Sequence, residues 1–310
     1  MIDPFHNAYV LTGPTGSGKT SLALELAERL DAEIVCMDSM TLYRGMDIGT
    51  AKPTLDERRR VPHHLLDVLD PWQSSNVAWW LEQAAASCRQ IESRGNSVLF
   101  VGGTALYLKA LLYGLFEGPP ANETVRRHLV LESQELGVEG LHRRLKQVDP
   151  ITAERLHPND IRRIIRALEV WRLTGKPISA WQNQWPGRQP TVNNKQRTPE
   201  RVIYLALPRT ELYARIDGRV REMVANGLVQ EAQALLRLPQ ALSKEARQAL
   251  GYKEMFDYFQ GGTDLEATIT NIQTRSRQFA KRQLTWFRNM PECLPVTREL
   301  TGLKWIAHTG

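Results

Sequence analysis

The stretch Gly13-Pro14-Thr15-Gly16-Ser17-Gly18-Lys19-Thr20 decides the fold of this 310-residue chain. It matches G-x-x-x-x-G-K-[ST], the pattern of phosphate-binding P-loops. An apolar, β-favouring segment (9–11) precedes it and a helix-forming segment (21–27) follows, so the motif has the strand and helix that it needs. Backbone amides of such a loop turn inward toward an anion, and the helix N-terminus adds its dipole. The motif therefore predicts a site for a diphosphate or polyphosphate, with Lys19 at the phosphates and Thr20 at Mg²⁺.

The composition is that of an ordinary globular enzyme, with 42% hydrophobic and 24% charged residues and a net charge of +6. No apolar run of about 18 residues predicts a membrane span, and the first residues show no secretory signal. Cys36, Cys88 and Cys293 are far apart and form no CxxC pair. The seven histidines form no HExxH motif, so we expect no structural zinc. Together these features favour a protein of the reducing cytoplasm.

Apolar segments at 32–37, 97–101 and 201–207 alternate with helical patterns. This alternation predicts an α/β fold, with a parallel sheet of the P-loop NTPase type. Because the carboxyl ends of parallel strands share one rim, Asp38 is expected beside the P-loop. Asp38 has two possible roles. It either caps a helix or binds the water shell of Mg²⁺, or it acts as a general base beside the bound phosphate. We favour the general base. Segment 97–101 ends in Gly102-Gly103-Thr104 instead of a Walker B aspartate, which disfavours ATP hydrolysis.

Three parts are expected along the chain. Residues 1–114 form the first part of the P-loop core, 115–200 a helical insertion, and 201–310 the rest of the core with C-terminal helices. The insertion follows a break at Gly118-Pro119-Pro120, and its segment 181–197 is polar and predicted to be a loop. The long loop at 40–53, just after Asp38, is a natural place for substrate contacts.

Basic residues concentrate on three predicted helices. Arg162, Arg163 and Arg166 project away from an apolar face in segment 161–172. Arg215 and Arg219 are four residues apart and therefore lie on one face of a helix. They either face solvent or cover the phosphates, and we favour the second interpretation. Segment 273–288 carries several cations and no acid, which favours nucleic-acid contact over a merely solvated face.

In combination, these motifs resemble those of the bacterial tRNA dimethylallyltransferases, also called tRNA isopentenyltransferases. The resemblance extends from about residue 8 to about residue 290. It rests on the P-loop, Asp38-Ser39, Tyr43 to Pro53, Val101 to Tyr107, His157 to Asp160, Arg163 to Glu169, Gly251 to Glu254, and Arg277 to Trp286.

The resemblance implies transfer of a dimethylallyl group from dimethylallyl diphosphate to N6 of the adenosine 3′-adjacent to the tRNA anticodon. Catalytic roles then fall to Asp38, Lys19, Thr20, Arg215 and Arg219, with Mg²⁺ as the cofactor and a cytoplasmic monomer as the expected form. The insertion would grip the anticodon stem-loop. Implied tRNA contacts are Asp38, Ser39, Met40, Thr41, Thr104, Arg162, Arg163, Ile164, Ile165, Arg166, Gln248, Gly251, Tyr252, Lys253, Arg277, Gln278, Lys281, Arg282 and Gln283. Gln248 departs from a segment that is often more basic, which weakens the contacts expected near it.

Two other functions remain open on the sequence alone. A P-loop small-molecule kinase would use ATP, a strand-end aspartate and covering arginines, but it leaves the basic insertion unexplained. A non-enzymatic RNA-binding module would leave Lys19 and Asp38 unexplained. A GTPase would need Asn-Lys-x-Asp, whereas Asn194-Lys195-Gln196-Arg197 ends in arginine.

Overall fold

The computed structural model describes residues 5–115, 118–181 and 201–299. The loop predicted at 181–197 lies outside the described residues except for Trp181. The chain divides into two compact units, the first formed by 1–112 with 196–310 and the second by 113–195. The insertion boundaries expected at 115 and 200 lie a few residues from these. Over the described ranges, no helix has the length and apolarity needed to cross a lipid bilayer.

A parallel sheet forms the centre of the first unit. In spatial order β3-β2-β4-β1-β5-β6, its strands within the described residues are β1 (Tyr9–Thr12), β2 (Ala32–Cys36), β3 (His63–His64), β4 (Ser97–Gly102), β5 (Val202–Leu205) and β6 (Leu294–Val296). Val10 of β1 lies between Phe100 of β4 and Val202 of β5. β1, β2, β4 and β5 are largely apolar, as expected of strands covered on both faces, whereas β3 consists of two half-buried histidines. The predicted α/β fold is confirmed. The P-loop follows β1, an inner strand, and so lies at the carboxyl-terminal edge of the sheet.

The helices begin and end largely where the sequence predicts. In chain order they are α1 (Lys19–Arg29), α2 (Leu55–Arg60), α3 (Val77–Ser93), α4 (Ala105–Tyr113), α5 (Glu123–Val148), α6 (Pro150–Arg155), α7 (Ile161–Thr174), α8 (Ile178–Trp181), α9 (Arg209–Ala225), α10 (Leu228–Leu236), α11 (Lys244–Arg247), α12 (Tyr252–Phe259) and α13 (Leu265–Arg288).

Local caps explain several of these boundaries. Thr54 and Glu57 form a capping box at the start of α2, and the Asn76 side chain accepts from two amides of α3. Asp160 caps α7, which ends at Gly175 with a φ of 69°. Such caps satisfy amides that have no partner within the helix.

The second unit has its own helical core. Helices α5 and α7 pack together through buried residues that include Leu129, Leu141, Ile164 and Leu168. Helix α5 changes direction at Gly137, where φ is 68° and ψ is 172°, a conformation that glycine adopts without strain. The all-helical character expected of this region holds for its described residues.

The C-terminal part contains a strand that the sequence analysis did not predict. Besides the expected helices, residues 294–296 form β6, which pairs with β5 through Ile203 and Leu294. A three-residue strand is too short to show a period of two. Pro295 also argues against a strand, although an edge strand tolerates proline because one side of its backbone needs no partner.

Candidate active site

The P-loop is held in a tight space between the sheet and α9. A Cβ on Gly13 would lie 3.2 Å from the backbone of Leu205 at the end of β5. Gly16 has a φ of 78°, and a Cβ there would come within 2.8 Å of Ile216 Cγ1 of α9. Both positions therefore require glycine, because a side chain there would crowd or strain the backbone of the P-loop.

Lys19 lies at the start of α1 and reaches back over the loop. Its Nζ donates to the carbonyl oxygen of Pro14 at 2.7 Å. Burial lowers the pKa of Lys19 to about 7; the charge of Arg219 lowers it further and Asp38 opposes the shift. Lys19, Arg219 and Asp38 therefore share one electrostatic environment, as functional sites commonly arrange their titratable groups.

The P-loop hydroxyls of Ser17 and Thr20 have no hydrogen-bond partner within the part of the chain that the structure describes. The Ser17 side chain is 2% exposed, and its Oγ has no hydrogen-bond partner among the described residues. Thr20 is half-buried at the first turn of α1. A buried hydroxyl without a partner is costly, so its presence here indicates a site completed by something besides protein.

Helix α9 brings two guanidinium groups to the loop. Arg219 Nη1 lies 3.4 Å from Thr15 Oγ1. Burial lowers the pKa of Arg219, whereas Asp38 and Glu222 oppose that shift. Arg215 Nη1 lies 3.4 Å from where a Cβ on Gly18 would stand, and its Nη2 pairs with Glu211 at 2.7 Å. The structure thus places both arginines that the sequence singled out beside the P-loop.

Asp38 stands at the end of β2, on the same rim as the P-loop. Its Oδ1 accepts from the Met40 amide at 2.8 Å, whereas its Oδ2 accepts no hydrogen bond from the described residues. Thr104 Oγ1 accepts from the Ser39 amide at 3.1 Å, which joins this segment to the end of β4. The carboxylate is therefore oriented through one oxygen and free at the other.

A buried glutamine connects the two sides of the site. The Gln283 side chain, from α13, is 4% exposed. Its Oε1 accepts from the Thr15 amide at 2.9 Å and its Nε2 donates to the Gly103 carbonyl at 2.7 Å. The amide bridges the P-loop and the end of β4.

The loop that follows Asp38 is fixed by residues far along the chain. The carboxylate of Glu231 accepts from the amides of Asp47, Ile48 and Gly49 at 2.9 to 3.1 Å. The Tyr252 hydroxyl donates to the same carboxylate at 2.5 Å. Sequence reasoning missed Glu231, whose role depends on a contact between residues more than 180 positions apart.

Lys52 secures the same loop from within. Its side chain is 1% exposed, and its Nζ pairs with Asp47 at 2.7 Å and with Asp67 at 2.5 Å. It also donates to the carbonyl of Tyr43. A lysine this buried is expected only with such partners. The loop at 40–53 is thus held in place by hydrogen bonds and ion pairs with Glu231, Tyr252 and Asp67.

The residues implied to contact tRNA differ in their exposure in this structure. Those with exposed side chains are Arg162, Arg163, Gln248, Gln278, Lys281 and Arg282, and those half-buried include Ser39, Met40, Thr104, Arg166, Lys253 and Arg277. Three of the cations have acidic partners: Arg163 pairs with Asp160 at 3.0 Å, Arg166 with Glu169 at 2.7 Å and Arg277 with Asp217 at 2.5 Å. Thr41 is buried beside Asp38, whose carbonyl oxygen accepts from its hydroxyl.

Five further residues among the implied contacts are buried in the structure. Ile164 and Ile165 lie in the core of the second unit, 0% and 9% exposed, and Tyr252 is 0% exposed. Gln283 is engaged at both ends of its amide, as described above. Gly251, with a φ of 92°, is the buried N-cap of α12. These residues pack inside the elements that carry the exposed ones, and their contact with tRNA stays a prediction.

The sequence is similar to known protein families and to individual relatives. The sequence model of a family described as IPP transferase matches residues 41–290, and that of an isopentenyl transferase family matches residues 6–67. The tRNA dimethylallyltransferase 2 of Geotalea uraniireducens is 48% identical over 90% of this chain and 88% of its own length. The tRNA dimethylallyltransferase of Geobacter metallireducens is 45% identical over 93% of this chain and 91% of its own.

Solved structures show the same relationship. The tRNA isopentenylpyrophosphate transferase of Bacillus halodurans is 39% identical, covers 97% of this chain and 93% of its own, and superposes with a TM-score of 0.67. A eukaryotic dimethylallyltransferase acting on tRNA is 28% identical over 94% of this chain and 74% of its own, with a TM-score of 0.72. With a family model matched over most of its length and relatives near half identical, the chain belongs to the IPP transferase family.

Proposed function

We propose that this chain transfers a dimethylallyl group from dimethylallyl diphosphate to N6 of the adenosine 3′-adjacent to the anticodon in tRNA, releasing diphosphate. The observation that carries the proposal is a free carboxylate oxygen on Asp38, in the same electrostatic environment as Lys19 and Arg219 of the phosphate site. Relatives named tRNA dimethylallyltransferase support the same pair of substrates.

The phosphate site suits a leaving diphosphate. As the bond between C1 of the donor and its oxygen breaks, negative charge develops on the departing group. The P-loop backbone, Lys19, Arg215 and Arg219 would stabilise this charge. Fixed donors aimed at developing charge commonly provide the largest single contribution to catalysis. The absence of a Walker B acid after β4, where Gly102 and Gly103 stand, is consistent with a donor that is not a nucleoside triphosphate.

Mg²⁺ fits this site through Thr20. A hydroxyl oxygen is a suitable hard ligand, and Mg²⁺ ordinarily keeps several waters and binds substrate phosphates. The described residues hold no group of three or more acidic, histidine or cysteine side chains that could form a separate metal centre. When bound, the ion would neutralise part of the charge on the diphosphate, and Thr20 would be its protein ligand.

Asp38 is suited to accept the proton of the nucleophile. The N6 lone pair of adenine is delocalised into the ring, so the amine attacks C1 poorly unless its proton is removed. Met40 N–H fixes Oδ1, which leaves Oδ2 to take that proton as the N6–C1 bond forms. A positioned general base contributes roughly 10²–10⁴-fold.

The RNA would be held by exposed cations in both units. Arg162 and Arg163 lie on α7, and Lys281 and Arg282 lie on α13. Because a stacked base cannot enter the site, the target adenosine must leave its stack, which costs a few kcal/mol. Phosphate contacts and recognition of RNA shape would offset that cost. Action in the cytoplasm and as a monomer stay predictions.

A small-molecule kinase would share the P-loop, the strand-end carboxylate and the arginines. The relatives do not favour it, because their names describe tRNA modification. No observation on the described residues favours a kinase or a simple RNA-binding module over the transferase.

The experiment incubates the protein with unmodified tRNA, Mg²⁺ and either labelled dimethylallyl diphosphate or γ-labelled ATP. We expect label in tRNA from the prenyl donor alone. Asp38→Asn should lower kcat by roughly 10²–10⁴-fold with tRNA affinity unchanged, because asparagine still accepts from Met40 N–H. Asp56→Asn, at a carboxylate 89% exposed on α2, is the matched control. Transfer only from ATP would favour the kinase, and RNA binding without transfer would favour the binding module.

A further inference from the structure

The strongest unassigned feature of the site is the buried bridge made by Gln283. Its amide oxygen accepts from Thr15 N–H in the P-loop, and its amide nitrogen donates to the Gly103 carbonyl at the end of β4. Thr15 follows β1 and belongs to the phosphate site. Gly103 follows β4, on the part of the rim that contacts the segment next to Asp38. A single side chain therefore fixes the separation between these two parts of the rim.

The two ends of the bridge are each linked to residues of the proposed chemistry. Thr15 also faces Arg219 through its hydroxyl, at 3.4 Å. Gly103 precedes Thr104, whose hydroxyl accepts from the Ser39 amide next to Asp38. A shift of Gln283 would consequently change the position of the diphosphate site relative to the proposed base.

The space around the bridge admits little movement. A Cβ on Gly103 would lie 2.4 Å from Gln283 Nε2 and 3.1 Å from the Gly13 carbonyl. The backbone of α13 next to Gln283 is fixed as well, because buried Ala280 packs against Leu212 and Ile216 of α9. Helix α9 carries Arg215 and Arg219, so α13 positions the loop and the arginines together.

We infer that Gln283 is a positioning residue that sets the distance between the diphosphate loop and the rim carrying Asp38. It acts through protein contacts and does not touch the RNA, although its neighbours Lys281 and Arg282 are exposed. The inference rests on the proposed function for its catalytic consequence, but the contact with the P-loop can be tested without it.

The test replaces Gln283 with methionine, which keeps the length and removes both hydrogen bonds. Thr268→Val is the matched control: Thr268 is 2% exposed on the same helix, bonds the Asp264 carbonyl and Thr263, and lies away from the P-loop. Both variants lose buried hydrogen bonds of α13, so a general loss of stability would affect both.

Four quantities are measured for the wild type and both variants: exchange of the Thr15 amide proton by NMR, affinity for inorganic diphosphate with Mg²⁺, affinity for tRNA, and kcat for prenyl transfer. In Gln283→Met we expect Thr15 exchange to accelerate at least tenfold, diphosphate affinity to fall, and tRNA affinity to stay within threefold. Misplacement by about 1 Å can cost about 10²-fold in rate, so kcat should fall by up to that factor. Thr268→Val should change none of the four.

Loss of tRNA affinity with unchanged diphosphate affinity would overturn the inference and make Gln283 an RNA contact. Equal effects of Thr268→Val would overturn it in favour of general destabilisation. If the wild type transfers no prenyl group while Gln283→Met still weakens diphosphate binding and exposes Thr15, the proposed function fails and the positioning role stands.

Discussion

The protonation of Lys19 gives a quantitative prediction for the phosphate site. Burial and the nearby charge of Arg219 lower the pKa of Lys19 to about 7 in the free protein. A bound diphosphate adds negative charge beside Nζ and raises this pKa again. Binding above neutral pH must therefore include uptake of a proton by Lys19, whereas below pH 7 the lysine is already charged and no uptake is needed.

The size of the change in affinity depends on the difference between the pH of the assay and the pKa of Lys19. One pH unit above the pKa costs about 1.36 kcal/mol, or a factor of about ten in affinity. Between pH 6.5 and 8.5 the Lys19 contribution should weaken binding by about 25-fold, or about 2 kcal/mol. In Lys19→Arg the side chain stays charged throughout, so this contribution should vanish even if binding is weaker at every pH.

The assay is calorimetric titration of Mg²⁺ and diphosphate into each protein at pH 6.5, 7.5 and 8.5, in buffers of different ionisation enthalpy. The ligand's own titration is common to both proteins, so the difference between them isolates Lys19. We expect the wild type to take up close to one proton more than Lys19→Arg at pH 8.5. Equal proton uptake and parallel pH dependence would refute the reasoning, since Lys19 would then be charged in the free protein.

Further predictions concern the contacts of the 40–53 loop and the arginines proposed to bind tRNA. Glu231→Gln replaces the acceptor of three backbone amides, so the free energy of unfolding in urea should fall by about 1–3 kcal/mol; an unchanged midpoint would contradict this. Gly49→Ala would place a Cβ 2.5 Å from the ring of Tyr252, and overpacking of this kind costs about 1–3 kcal/mol, measurable in the same titration against Gly262→Ala at an exposed turn. Arg162→Gln should reduce the slope of log affinity for tRNA against log salt by about 0.7–0.9. Arg166→Gln should reduce this slope less, because Glu169 and the Pro119 carbonyl already bind that guanidinium. Equal reductions in the two variants would contradict this expectation.

The parts of the site that the sequence predicts are those encoded within a short stretch. The P-loop glycines lie at fixed spacing between a strand and a helix, so their backbone requirements are local. Asp38 follows from the parallel sheet, because a residue just after a buried strand must lie on the common rim. Arg215 and Arg219 are one helical turn apart, so placing one beside the loop places the other there as well.

The parts that the sequence does not predict depend on contacts between distant segments. Glu231 looks like any surface glutamate of an amphipathic helix, and nothing near it indicates that it accepts from three amides of the 47–49 segment. Strand β6 is short and contains proline, so it forms only because β5 offers a free edge. Neither feature has a local pattern that a prediction could use.

Gln283 differs from Glu231 and β6, because the periodicity of α13 in the sequence indicates that Gln283 is buried. The buried positions Ser276, Ala280, Gln283 and Phe287 recur at spacings of four, three and four, which is the period of one helix face. A polar side chain on such a face needs protein partners, since burial without them costs free energy. The cations at 281 and 282 lie off this face and are exposed. The spacing thus separates a glutamine that positions the P-loop from the cations beside it that are available to RNA, even though all three stand within three consecutive residues.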